Sequence, residues 1–229
     1  MSDSMRASAA IRERTFVQQV YGWMAAALAV TGFVALAVSR SVTIQQIIFG
    51  NRVIFFGLII GELVLVIALA RRIMAMSAAT ATTVFIIYSI LNGLTLSSVF
   101  LVYTGTTITQ AFLVTAGVFG VMTVYGFVTR TDLTRLGNLL LMALLGFIIA
   151  TVVNLFVASE TLYWIITYAG VVLFVGLTAY HTQNIKRMAQ AGFDDSETEQ
   201  KAAVLGALRL YLDFINLFLL FLRILGRRR

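Results

Sequence analysis

The chain has 229 residues, of which 60% are hydrophobic and 12% are charged, and its formal net charge is +7. Soluble domains carry about 25% charged residues, so this balance excludes a soluble globular domain, and it also excludes a disordered chain. The composition predicts an all-α membrane protein that crosses the bilayer several times, with its Lys and Arg residues at helix ends rather than on a nucleic-acid-binding surface.

Two residue types are absent. Without cysteine the chain has no disulfide, no thiol nucleophile and no cysteine zinc site, and without proline it has no proline-broken helix. The second absence argues against transporters that are built on proline-interrupted helices.

Seven apolar runs follow a polar N-terminal segment over residues 1–16. Each run is close to the ~20 residues that a spanning helix needs, so the sequence predicts a seven-helix transmembrane domain over 17–226 and a basic tail at 227–229. Ala35-Leu36-Ala37 is similar to a signal-peptide cleavage site, but the first run is long for a signal peptide, and we interpret it as a retained helix. The runs cover residues 17–38, 53–70, 79–102, 109–128, 137–157, 161–180 and 203–225.

Orientation is predicted from the positive charges, because cytoplasmic loops carry the excess of Lys and Arg. Ten of these residues precede the first run or lie in the 2–3, 4–5 and 6–7 connectors, whereas the opposite connectors hold only Arg40 and Arg52. We therefore expect a cytoplasmic N-terminus. The basic tail opposes this bias, so either the bias is overridden there or the last segment turns back into the bilayer.

The connector over residues 191–200 contains four acids. Its acids and its glycine do not have the alternating spacing of an EF-hand, so we interpret it as a solvated loop rather than a calcium site. Ser196 and Glu199 have the spacing of a capping box for the last helix.

Asp213 is one of two acids that lie well inside apolar runs. On an ideal helix it shares a sector of about 80° with Arg209, Asn216, Leu220 and Arg223. Such a polar stripe avoids lipid, so we expect the last helix to be surrounded by other helices or to line a water-filled cavity. Asp213 and Asn216 are candidates for a cation path, and Arg209, one turn away, is a candidate ion-pair partner.

Glu62 is the other acid inside an apolar run, directly after Gly57 and Gly61. It is either a cation ligand or proton carrier, or a buried and protonated hydrogen-bond donor. Arg71 and Arg72 end the same run and are interfacial anchors or, alternatively, ion-pair partners.

His181 is the only histidine. A single histidine without two further ligands argues against zinc, and no serine is placed to form a catalytic dyad with it. We therefore expect no enzymatic activity, no resident cofactor and no firm metal site, although calcium could bind transiently.

Three segments carry a resemblance to a known family. Residues 210–218 read LYLDFINLF and run on to Arg223 and Gly226, residues 21–24 read YGWM, and residues 92–97 read NGLTLS. Together they resemble the Bax inhibitor family, the transmembrane Bax-inhibitor-motif proteins, in its bacterial branch. The resemblance covers essentially the whole chain.

The resemblance implies a fold in which six helices surround the last one. It also implies a calcium leak tuned by pH through two aspartates near the cytoplasmic ends of helices six and seven. Asp213 matches the second aspartate, but His181 stands at the position of the first, so the two-carboxylate sensor is missing. Glu62 matches a family acid in helix two, and Arg71 or Arg72 matches a nearby arginine.

These observations and the resemblance predict a pH-modulated passive cation leak, with calcium as the cation, in the bacterial inner membrane. The partners implied are the lipid bilayer, calcium and protons. The alternative is a non-conducting protein that modulates a membrane protease or another membrane partner. As pH sensor we predict a His181–Asp213 latch, which acidification through the neutral range strengthens and deeper acid breaks, unless His181 lies unpaired at the headgroups.

Overall fold

The structure is a computed structural model that describes residues 3–226, with side chains from residue 11 onward. The predicted basic tail at 227–229 lies outside the described residues. The helices are α1 (Asp3–Ser39), α2 (Val42–Gly50), α3 (Arg52–Arg72), α4 (Ala78–Val102), α5 (Gly105–Val128), α6 (Thr134–Val157), α7 (Glu160–Ala191) and α8 (Ser196–Leu225), with a 3-10 turn at Ile73–Ala75.

Seven of the described helices, all except α2, are long and apolar enough to cross a membrane. Each contains one of the seven predicted apolar runs, which confirms the all-α, multi-pass membrane fold. The last helix is unbroken over 30 residues, so it does not turn back within Ser196–Leu225. The arrangement of six helices around it stays a prediction.

Two boundaries near the start of the chain differ from the prediction. The first connector contains the nine-residue helix α2, whose composition resembles that of a span but whose length is too short for one. Asn51 separates α2 from α3, because its side chain caps α3 by accepting hydrogen bonds from Val53 N at 2.9 Å and Ile54 N at 3.4 Å. The polar segment predicted over residues 1–16 is helical from Asp3 and continues directly into the first span.

The chain divides into two compact units. One contains the residues up to Thr104 together with Met188–Tyr211, and the other contains Gly105–Arg187 with the rest of α8. In the first unit, Thr31 Oγ1 of α1 donates to Ser89 O of α4 at 2.9 Å and lies 2.7 Å from the Tyr211 hydroxyl of α8. These buried contacts connect three helices through groups that would otherwise be unsatisfied in an apolar interior.

In the second unit, α7 packs against its neighbours at glycines. A Cβ on Gly126 of α5 would lie 2.7 Å from Ala179 O, and one on Gly137 of α6 would lie 2.6 Å from the Tyr180 ring. Small residues allow close helix approach in membranes, where packing replaces the hydrophobic effect as the driving force. The core of this unit is formed by Leu173, Phe174, Leu177, Leu217 and Leu220.

The capping box predicted for α8 is wrong by one residue. Asp195, not Ser196, caps the helix, because Asp195 Oδ1 accepts from Thr198 N at 2.7 Å and Oδ2 accepts from Thr198 Oγ1 at 2.8 Å. These hydrogen bonds hold the pKa of the exposed Asp195 carboxyl below its usual value. Two further side chains attach this end of α8 to other elements: Glu197 Oε1 accepts from Ala78 N at the start of α4 at 3.3 Å, and Lys201 Nζ donates to Met74 O of the preceding 3-10 turn at 3.4 Å.

Candidate functional site

His181 and Asp213 form a buried pair within the second unit. His181 Nδ1 of α7 lies 2.7 Å from Asp213 Oδ2 of α8, and their side chains are 13% and 2% exposed. The structure thus brings together the two residues of the predicted latch and does not leave His181 unpartnered at the headgroups. An imidazole facing a carboxylate can hold the proton between them or carry a charge itself, depending on pH.

The α7 segment that carries His181 is fixed by helices on both sides of it. The apolar run was predicted to end at residue 180, but α7 continues to Ala191, so His181 lies inside the helix. The close approaches of Gly126 and Gly137 fall on residues 179–182 of α7. His181 therefore sits on a stretch of backbone with little freedom to shift.

Gln183, two residues after His181, fastens the α5–α6 connector to α7. Its Oε1 accepts from Leu133 N at 2.9 Å, its Nε2 donates to Thr131 O at 2.8 Å, and the side chain is buried. Lys186 adds a further link by donating to Phe127 O at 2.7 Å. Sequence reasoning did not identify Gln183 as a contact residue, although an amide at the end of an apolar helix was a signal for such a bond.

Replacing Gln183 with methionine is expected to lower the free energy of unfolding by about 1–3 kcal/mol, because the buried Leu133 N–H loses its acceptor. The measurement is denaturation of the purified protein in mixed micelles. Gln190→Met is the matched control on the same helix, since the Gln190 amide makes only an exposed 3.4 Å bond to Glu13. Equal stability of the two variants would contradict a stabilising role for the hydrogen bonds between Gln183 and the α5–α6 connector.

Arg187 and Asp132 form an exposed ion pair beside this connector, with Arg187 Nη2 2.5 Å from Asp132 Oδ1. Hydrogen bonding from Arg187, followed by that from Thr134, holds the pKa of Asp132 well below its usual range. Asp132 therefore stays ionised at any physiological pH, and it is not a candidate for the pH-sensitive group.

Glu62 lies in the first unit. It is half-buried on α3, and its Oε1 accepts a hydrogen bond from Thr95 Oγ1 of α4. Asn92, one turn before Thr95, donates from Nδ2 to the Tyr88 hydroxyl at 3.1 Å. Glu62 thus faces a polar stretch of α4, which is the environment that either of its two predicted roles requires.

The remaining candidate residues are placed as follows. Asn216 donates from Nδ2 to Leu212 O of its own helix at 2.8 Å. Arg209 is half-buried one turn before Asp213, and the ion pair that the structure shows for Asp213 is with His181. Arg71 and Arg72 are exposed at the end of α3, and no carboxylate among the described side chains lies within ion-pair distance of either.

Comparison with known proteins supports one family for the whole chain. The model of the family described as inhibitor of apoptosis-promoting Bax1 matches residues 13–229. The inner membrane protein YbhL of Escherichia coli is 51% identical over 94% of this chain and 93% of its own length. Proteins from Borreliella burgdorferi and Deinococcus radiodurans are 46% and 42% identical, over 93% and 92% of this chain and 92% and 90% of their own lengths. The chain therefore belongs to the Bax inhibitor family of multi-pass membrane proteins.

Proposed function

We propose that this protein is a passive cation leak, with calcium as the cation, and that pH sets how often it opens. The observation that carries the proposal is the His181–Asp213 pair, in which a carboxylate 2% exposed lies within a helix long enough to span the membrane. Ionisable groups at membrane depth are costly and usually serve an ion pathway or a proton relay.

Carboxylates supply the oxygen ligands that calcium prefers. In the structure, one oxygen of Asp213 is taken by His181 and one oxygen of Glu62 is taken by Thr95. We assign this arrangement to a closed state in which the acids are held by protein groups. Conduction then requires that the His181–Asp213 contact opens and frees a carboxylate for the cation.

The pH dependence follows from the charges of the pair. The attraction within the pair is greatest when the imidazole of His181 is cationic and Asp213 is ionised, and we assign this combination to mild acid. Raising the pH removes the charge on His181, and deep acid removes the charge on Asp213. Lys186, the next charged residue on α7, does not pair with Asp213 in the structure, because its ammonium group donates to Phe127 O at 2.7 Å. The closed state is therefore favoured in mild acid and weakened on either side.

The test is calcium entry into indicator-loaded liposomes that contain the purified protein, with equal pH on both faces. We expect entry to be about fivefold faster near pH 8 than near pH 6, because a charged hydrogen bond is worth about 1 kcal/mol more than a neutral one. His181→Asp should displace this profile, since two adjacent carboxylates are held together by a shared proton and separate when both ionise. Glu62→Gln should reduce entry without unfolding the protein.

Protein-free liposomes give the background, and an ionophore confirms that each preparation is sealed and loaded. Superimposable pH profiles for the wild type and His181→Asp would exclude His181 from the latch. Calcium entry no faster than in protein-free liposomes would contradict the leak itself and would favour the non-conducting interaction protein.

A further inference from the structure

A cavity of about 120 Å³ lies within the second unit, where α6 ends and α7 begins. It is at the opposite end of α7 from His181. Its lining residues are Thr151, Asn154 and Leu155 of α6, Tyr163 and Ile166 of α7, and Arg223 of α8. An engineered cavity of about 150 Å³ in another protein holds benzene, so this volume is enough for a small polar group.

Arg223 supplies the positive charge of the cavity. Its guanidinium carbon lies 5.4 Å from the centre of the Tyr163 ring, over the ring face. No carboxylate among the described side chains lies within ion-pair distance of Arg223. Stacking on an aromatic face holds a guanidinium in place without using its N–H donors, so these donors remain for a ligand.

The neighbouring polar groups also favour an anion. Asn154 Oδ1 already accepts from Ser159 N at 3.1 Å, which leaves the amide NH2 donor of Asn154 as the group it can offer. The Tyr163 hydroxyl is a further donor in the lining. Thr151 donates its hydroxyl hydrogen to Phe147 O at 2.8 Å, so this hydroxyl is not available as a donor to a ligand. Arg223, Asn154 and Tyr163 therefore add a positive charge and hydrogen-bond donors to a lining that is otherwise mainly apolar.

Aromatic residues mark the membrane depth of this cavity. Tyr163, Trp164 and Tyr168 cluster in the first turns of α7, with ring centres 5.5 Å and 5.8 Å apart in successive pairs. Tyr and Trp concentrate where the hydrocarbon meets the headgroups. Phe156, at the end of α6, is 85% exposed, as expected for a side chain that contacts lipid. Arg223 therefore lies near the level of the phosphates of one leaflet.

We infer that this cavity, the Arg223 cavity, binds a phosphate group, which is supplied by the headgroup of an anionic phospholipid or by free phosphate. The planar guanidinium fork matches two oxygens of a phosphate, which gives both the energy and the orientation of binding. This inference does not depend on whether the protein conducts calcium.

The experiment measures dissociation constants by calorimetry on the full chain in detergent. The ligands are a short-chain phosphatidylglycerol and inorganic phosphate, with chloride at matched ionic strength as the blank. Arg223→Gln should weaken binding at least about tenfold, because it removes charge-assisted hydrogen bonds. Arg135→Gln makes the same charge change at an exposed position near the opposite end of α6 and should stay within about twofold of the wild type.

Arg223→Lys keeps the positive charge but loses the planar pair of guanidinium N–H donors. This variant should bind the phosphate ligands more weakly than the wild type and more tightly than Arg223→Gln. It provides the comparison if Arg223→Gln disturbs the end of α8. Arg223-dependent binding of phosphatidylglycerol that exceeds binding of phosphate identifies the lipid as the source, and equal binding of both identifies free phosphate. The inference is overturned if neither ligand binds, if Arg223→Gln binds like the wild type, or if Arg135→Gln loses as much affinity as Arg223→Gln.

Discussion

Replacing His181 with phenylalanine is expected to lower the free energy of unfolding by about 3 kcal/mol at neutral pH, because it removes the imidazole that pairs with a buried acid. Asp213 is 2% exposed, so water does not reach the carboxylate to replace the contact with His181. The aromatic ring of phenylalanine keeps most of the volume of histidine, which limits the contribution of a cavity. The measurement is the unfolding midpoint in mixed micelles of dodecylmaltoside and SDS.

The double variant His181→Phe/Asp213→Leu separates the pair from its surroundings. Exchanging both partners of a buried ion pair for apolar residues is often neutral, so we expect the double variant to regain most of the lost stability. If the double variant is as unstable as the sum of the two single variants, the His181–Asp213 contact carries no coupling energy. That result would also remove the physical basis of the latch.

Gly126→Ala is expected to cost about 1–3 kcal/mol, the usual penalty of an overpacked interior. The added methyl would lie 2.7 Å from Ala179 O and 2.8 Å from Thr182 Cβ, on either side of the backbone that carries His181. A backbone carbonyl in the middle of a helix cannot swing away as a flexible side chain can. The α5 and α7 helices must therefore separate, and the unfolding midpoint should fall.

Gly120→Ala is the matched control on the same helix. A Cβ at Gly120 meets no atom within 4 Å, so only the helix propensity of the residue changes, which favours alanine by up to about 1 kcal/mol. We expect opposite signs for the two substitutions. A Gly126→Ala variant at least as stable as Gly120→Ala would show that α5 and α7 do not depend on this close approach.

The sequence predicted the spans well because each apolar run reports directly on burial in lipid. It missed α2, since nine residues of mixed polarity between two apolar runs read the same in a loop as in a short helix. It identified Asp213 and Glu62 because each is an acid inside an apolar run, and that can be read from the neighbouring residues alone. The pairing of Asp213 with His181 was predicted only through the family resemblance, because it depends on which helix faces which. The contact of Glu62 with Thr95 was not predicted for the same reason, and the role of Gln183 depends on where a loop backbone lies. Those are tertiary facts that a helical period does not contain.

The lysine contacts have a practical consequence for chemical labelling. The chain has only two lysines, Lys186 and Lys201, and each donates to a main-chain carbonyl, at 2.7 Å and 3.4 Å. An amine in that position is a poor target for acylating probes, so amine reagents will report little about which parts of the surface are open. The chain also contains no cysteine, so a single introduced thiol gives an unambiguous signal. Cysteine scanning from residue 11 to residue 226 is therefore the natural way to map which side of the membrane each connector faces.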